Sequence, residues 1–146
     1  MSFYSRGLRF TCLQCSSCCR FDPGFVFLSE KDVEALATKL GIGYSDFIGV
    51  HCRWIPAGNG IEQLSLKERS NYDCIFWKDG CTVYGSRPLQ CRTFPFWTSV
   101  LVSRESWQAV SEGCPGMGSG ALHDAAEIEA ASDLRLSEPV ITRRVR

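Results

Sequence analysis

Nine cysteines in a chain of 146 residues are the side chains with the most chemistry to offer, and their spacing is uneven. Cys12-x2-Cys15-x2-Cys18-Cys19 packs four of them into one short segment, and Cys74, Cys81, Cys91 and Cys114 follow singly. A gap of two residues lets a chain turn around an ion so that both sulfurs approach it, as in zinc knuckles and iron–sulfur proteins. Three cysteines at successive gaps of two match the first part of the bacterial ferredoxin run, where one loop supplies three thiolates and the fourth ligand is remote. Adjacent residues point their side chains apart, so Cys18 and Cys19 are expected to serve different sites. Eight thiolates could then fill two four-sulfur sites, or one centre with spare thiols. The expected partition joins Cys12, Cys15 and Cys18 with Cys91, and turns Cys19 towards Cys74, Cys81 and Cys114. Cys52, beside His51, stands outside the pattern and reads as structural.

The surroundings favour metal over disulfides. Residues 1–9 lack the apolar run of a signal peptide, and no stretch of about eighteen apolar residues could span a bilayer, so a cytoplasmic location is expected. Disulfides are reduced there, whereas metal-bound thiolates persist, and an odd cysteine count also weakens a disulfide scaffold. Lys plus Arg equals Asp plus Glu at 16 each, which leaves no overall field for nucleic acid or an anionic membrane. Neither is expected as a partner. Arg87 and Arg92 flank Cys91 and could offset the negative charge of a thiolate-rich centre, so both are candidate cofactor-binding residues; binding local backbone or surface carboxylates is the plain alternative.

The elements that must position these residues read as a small, loop-rich α+β domain, with β-hairpins and two or three short helices around the centre. Residues 1–23 show almost no periodicity, and Phe25–Leu28 reads as a short strand. Ser29-Glu30-Lys31-Asp32 has capping-box form, with Val33, Leu36, Ala37 and Leu40 at helical spacing and Gly41 to stop the helix. Tyr44–Val50 suggests a short helix and Ile61–Leu66 an extended segment after a turn at 57–60. Asp79-Gly80 between two β-prone runs predicts a hairpin that carries Cys74 and Cys81. Residues 98–110 predict a second hairpin, 113–120 a glycine-rich loop, 121–136 a helix, and the Arg-rich end a solvated tail. The glycine-rich loop lacks the Gly-Lys-Ser/Thr ending of a phosphate cradle. Residues 1–120 are expected to form the metal-binding domain, and 121–146 a C-terminal helix and tail on it.

Taken together, Cys12-x2-Cys15-x2-Cys18-Cys19, Cys74-x6-Cys81, Tyr84-x2-Arg87-Pro88-x2-Cys91-Arg92-x-Phe94-Pro95 and Cys114-Pro115-Gly116 resemble the CxxCxxCC cysteine-cluster family, also called the YkgJ type, over residues 12–120. The resemblance implies a zinc- or iron-chelating domain. A related motif occurs in flagellin lysine methylase, but no methyl-donor domain is recognisable here. All-sulfur ligation suits both metals. The ferredoxin-like run, the Cys114-Pro115 pair and the aromatic residues near several cysteines tilt the expectation towards an iron–sulfur cluster, 4Fe-4S in type, with zinc as the alternative. A redox or binding module with a protein partner is the expected role. The alternatives are a structural zinc module and a metal-dependent enzyme or accessory subunit. Catalysis is left open, since His51 and His123 lie outside any His-Glu-x-x-His motif.

Overall fold

A computed structural model describes residues 2–13, 25–69, 73–78 and 80–145. In chain order its elements are β1 (Leu8–Phe10), α1 (Glu30–Leu40), α2 (Tyr44–His51), β2 (Cys52–Gly58), β3 (Ile61–Leu66), a 3-10 turn at Tyr84–Ser86, α3 (Leu89–Thr93), α4 (Thr98–Leu101), α5 (Arg104–Ser111), β4 (Met117–His123), α6 (Ala125–Ser137) and β5 (Thr142–Arg144). The strands form two antiparallel sheets, β1-β4 and β2-β3-β5. The class is α+β, as the sequence implies.

Local chemistry accounts for the elements that were legible. Ser29 Oγ accepts from Asp32 N at 3.2 Å and Asp32 Oδ2 accepts from Ser29 N at 3.0 Å, a reciprocal cap at the start of α1. Gly41 closes the helix in the left-handed region at φ 69°. Val33, Leu36 and Ala37 turn one face of α1 into a core shared with Leu28, Phe47, Leu64, Leu66, Phe76 and Val83. A second core gathers Phe96, Val100, Trp107, Met117 and Ile128.

Four expectations are corrected. Residues 98–110 form helices α4 and α5 rather than a hairpin: Ser103 Oγ caps α5 by accepting from Ser106 N at 3.1 Å, and Trp107 is buried in the second core. The β-prone side chains there are anchored by packing, which overrides propensity. The expected Cys74–Cys81 hairpin is reduced to one antiparallel bridge, Trp77 with Cys81, across the expected turn, while Cys74 bridges to Glu68. Thr82 N and Thr82 Oγ1 both donate to the Phe76 carbonyl, at 2.8 and 2.6 Å, and Trp77 N donates to Cys74 O, so the chain curls into turns. The segment before Cys12 contains β1, which pairs with β4 inside the region read as a glycine-rich loop. The Arg-rich end contains β5, tied to β3 through Arg143 Nε on Glu62 Oε1 at 2.7 Å, so it is exposed but not a free tail.

Phe25–Leu28 lies along β3 through backbone bonds from Leu66 N to Val26 O and from Leu28 N to Leu64 O, at 3.0 and 3.1 Å. Residues 121–146, expected as helix and tail, hold the end of β4, then α6 and β5.

Candidate metal centre

Between the two cores lies a cavity of about 140 Å³. The first core contributes Val26, Leu66, Phe76 and Val83 to its wall, and the second contributes Phe10 and Phe94. Cys12, Cys74, Cys81 and Cys91 also line it, together with Tyr84, Arg87, Pro88 and Arg92. Four cysteines from three chain segments thus line one predominantly apolar space. Each is half-buried.

Each segment is fixed by a different device. Cys12 follows β1. Cys74 and Cys81 are held by the bridges to Glu68 and Trp77 and pack against the first core. Cys91 rides on α3, a helix of five residues whose start is held from outside: Asp32 Oδ1 accepts from Leu89 N at 2.9 Å while its other oxygen caps α1. One buried carboxylate therefore joins two helix starts. Gln90 adds a second tie, because its Oε1 accepts from Phe27 N at 2.9 Å and its Nε2 donates to Phe25 O at 2.7 Å. The side-chain amide stands in for a strand partner and binds residues 25–27 to the turn that carries Cys91. In the sequence, Asp32 shows only as part of its own helix cap and Gln90 carries no signal of a role. Their partners lie 57 to 65 residues away, and no local pattern signals such contacts.

The arginines are anchored around the cavity wall. Arg87 Nε donates to the Tyr84 carbonyl at 3.0 Å, and its guanidinium lies 3.8 Å from the centre of the Tyr84 ring. Arg92 Nε donates to Arg87 O at 3.0 Å, and its terminal nitrogen stands 3.9 Å from Asp32 and 3.8 Å from Glu138. Arg92 is thus a strut to two carboxylates as well as a charge beside the cavity. A hydrogen bond to the Cys12 side chain, reinforced by burial, pushes the Tyr84 phenol above its ordinary range. Tyr84 therefore stays a neutral donor towards the Cys12 sulfur.

Three of the proposed ligands, Cys15, Cys18 and Cys19, lie outside the described residues. Cys114 packs against the second core, beside the β1-β4 sheet. The cavity joins Cys91 with Cys74 and Cys81, which the expected partition had assigned to separate centres. Cys52 lies in the first core at 6 % exposure, and burial pushes its thiol up to about 12. His51 packs at a tilt against Phe47 and Phe76, with ring centres 5.2 and 5.5 Å away. Burial and the charge of Lys67 hold its imidazole below the usual range. Neither residue lines the cavity.

A thiolate set in such a space needs a counter-charge, since a lone anion in an apolar cavity is strongly disfavoured. Soft sulfur donors fit zinc or an iron–sulfur cluster. Among the described residues no three Cys, His, Asp or Glu side chains are gathered closely enough to hold one ion. The family described as "Putative zinc- or iron-chelating domain" matches residues 11–115. The chain belongs to the CxxCxxCC family. That match begins at Thr11 and ends at Pro115, so it spans all four cavity cysteines as well as Cys15, Cys18, Cys19 and Cys114. No solved structure matches the chain. Among the described residues no helix of this CxxCxxCC protein is long and apolar enough to cross a membrane.

Proposed function

We propose that this protein binds an iron–sulfur cluster through its clustered cysteines and serves as a redox or binding module. The observation that carries the reading is the single cavity lined by Cys12, Cys74, Cys81 and Cys91 where the two cores meet. Such a centre would draw further on Cys15, Cys18, Cys19 and Cys114 from the same motif set, either as ligands of this cluster or of a second one. A zinc ion sits about 2.3 Å from each sulfur of its tetrahedral site and leaves no internal space. The ferredoxin-like spacing of Cys12, Cys15 and Cys18 and the Cys114-Pro115 pair support the cluster over the zinc alternative.

When bound, the cluster would supply one-electron transfer or a cross-link between the cores. The protein's own residues do the rest. Phe10, Val26, Phe76 and Phe94 keep water from the sulfurs, Arg87 and Arg92 place positive charge on the wall, and Tyr84 donates a hydrogen bond to Cys12. The positive charges and the hydrogen bond favour the more negative, reduced state of a thiolate-bound centre, whereas the apolar wall, by excluding water, favours the less charged, oxidised one. A protein partner in a cytoplasmic setting is part of the same proposal.

Anaerobic purification with iron, zinc and acid-labile sulfide analysis tests it. Iron and sulfide in equal amounts with broad visible absorption are expected. Zinc without sulfide in a colourless protein would instead establish the structural zinc reading.

A further inference from the structure

The register of β1 and β4 breaks at one place: Arg9 pairs with Leu122, but Phe10 pairs with Met117. Residues 118–121 are therefore looped out of the ladder, and they close around Thr11. Thr11 N donates to Gly116 O at 3.2 Å, and Ala121 N donates to Thr11 Oγ1 at 2.8 Å. Arg9 reaches across to the Gly120 carbonyl at 3.0 Å and pins the far side of the loop.

Two glycines make this closeness attainable. A methyl group on Gly120 would collide with Thr11 Oγ1 and Cβ. A methyl group on Gly116 would collide with the Thr11 carbonyl oxygen, which belongs to the peptide joining Thr11 to Cys12. Gly116 does not occupy the left-handed region, so contact alone demands glycine there. Backbone on both sides of the contact leaves little room to give.

We propose that Gly116 and Thr11 form a cradle whose task is to set the position of Cys12 at the cavity, which makes both positioning residues for the metal centre. The inference rests on the reading of Cys12 as a ligand. It gives the Cys114-Pro115-Gly116 motif and Gly120 a purpose unrelated to phosphate: they let β4 grip the residue before a sulfur. A shift of the Thr11–Cys12 peptide moves Cys12 while Cys74, Cys81 and Cys91, held by other elements, keep their places.

The test compares wild type, Thr11→Ser, Thr11→Val and Gly116→Ala after anaerobic loading with ferrous iron and sulfide. Brief alkylation followed by mass mapping gives the rate at each cysteine. Wild type and Thr11→Ser, which keeps the hydroxyl, should protect all four cavity cysteines. Thr11→Val and Gly116→Ala should expose Cys12 several-fold more than wild type, while Cys74, Cys81 and Cys91 stay slow. Buried Cys52 reports on folding, since it reacts slowly in any folded variant. Protection of Cys12 at the wild-type rate in either folded variant overturns the proposal. So does global unfolding of both, with Cys52 exposed, because the cradle would then serve stability in general. Wild type that protects none of the four under loading removes the ligand reading and the cradle's role with it, an outcome distinct from the other two.

Discussion

At the scale of single residues, cysteines of one chain differ by environment. Cys52 and Cys81 both belong to the first core region, yet Cys52 is sealed within it and Cys81 faces the cavity. Burial raises the Cys52 thiol from 9.0 to about 12, so the folded state holds its proton more tightly than the unfolded chain does. Its contribution to stability is thus fully present below about pH 9 and is lost as pH rises through about 12. Replacing Cys52 with Ala should flatten that alkaline loss in denaturant titrations across the same range, and should leave metal content unchanged. The sequence separated Cys52 from the motif by spacing alone. It did not reveal Tyr84 as a donor to Cys12, because that contact joins residues far apart in the chain.

At the scale of elements, the helix start at Ser29 shows how a local signal can conceal a distant function. The capping box was legible because both partners lie within four residues. Asp32 also holds the start of α3, and only the fold brings Leu89 to it. Two substitutions separate these roles. Ser29→Ala removes one cap bond and should cost about 1 kcal/mol in chemical denaturation, with metal retained. Asp32→Asn turns an amide donor towards a buried N–H, should cost about 1 to 3 kcal/mol, and should loosen metal binding through Cys91. Equal metal content in the two variants would separate Asp32 from the site. Gln90→Leu should likewise reduce metal retention, read as faster loss to a chelator, since it frees residues 25–27 from α3. The misread segments share one cause. Residues 98–110 and 74–84 are β-prone in composition, but the packing of Trp107 made the first helical, and in the second the two hydrogen bonds from Thr82 to the Phe76 carbonyl hold no more than a short bridge. Strand β1 was missed because Leu8-Arg9-Phe10, although alternating, is only three residues long and pairs with a glycine-rich partner.

At the scale of the whole molecule, two cores meet at a cavity lined by Cys12, Cys74, Cys81 and Cys91, so a metal held there would join them. Thiolate-bound metal in small domains supplies about 10 to 16 kcal/mol of binding free energy near neutral pH. Whole-domain stabilities are about 5 to 15 kcal/mol, so this centre would dominate the balance. Chelation should therefore lower the unfolding temperature strongly and expose the cavity wall to amide exchange before α1 and β3 open. An apo form as stable as the loaded one would remove the structural role. The central claim is that the cavity cysteines hold the metal, and metal per chain in Cys81→Ser against Cys52→Ser tests it most directly. Cys81→Ser should lose most of its metal while Cys52→Ser keeps the wild-type amount; a Cys81→Ser protein that binds as much metal as wild type would contradict the account.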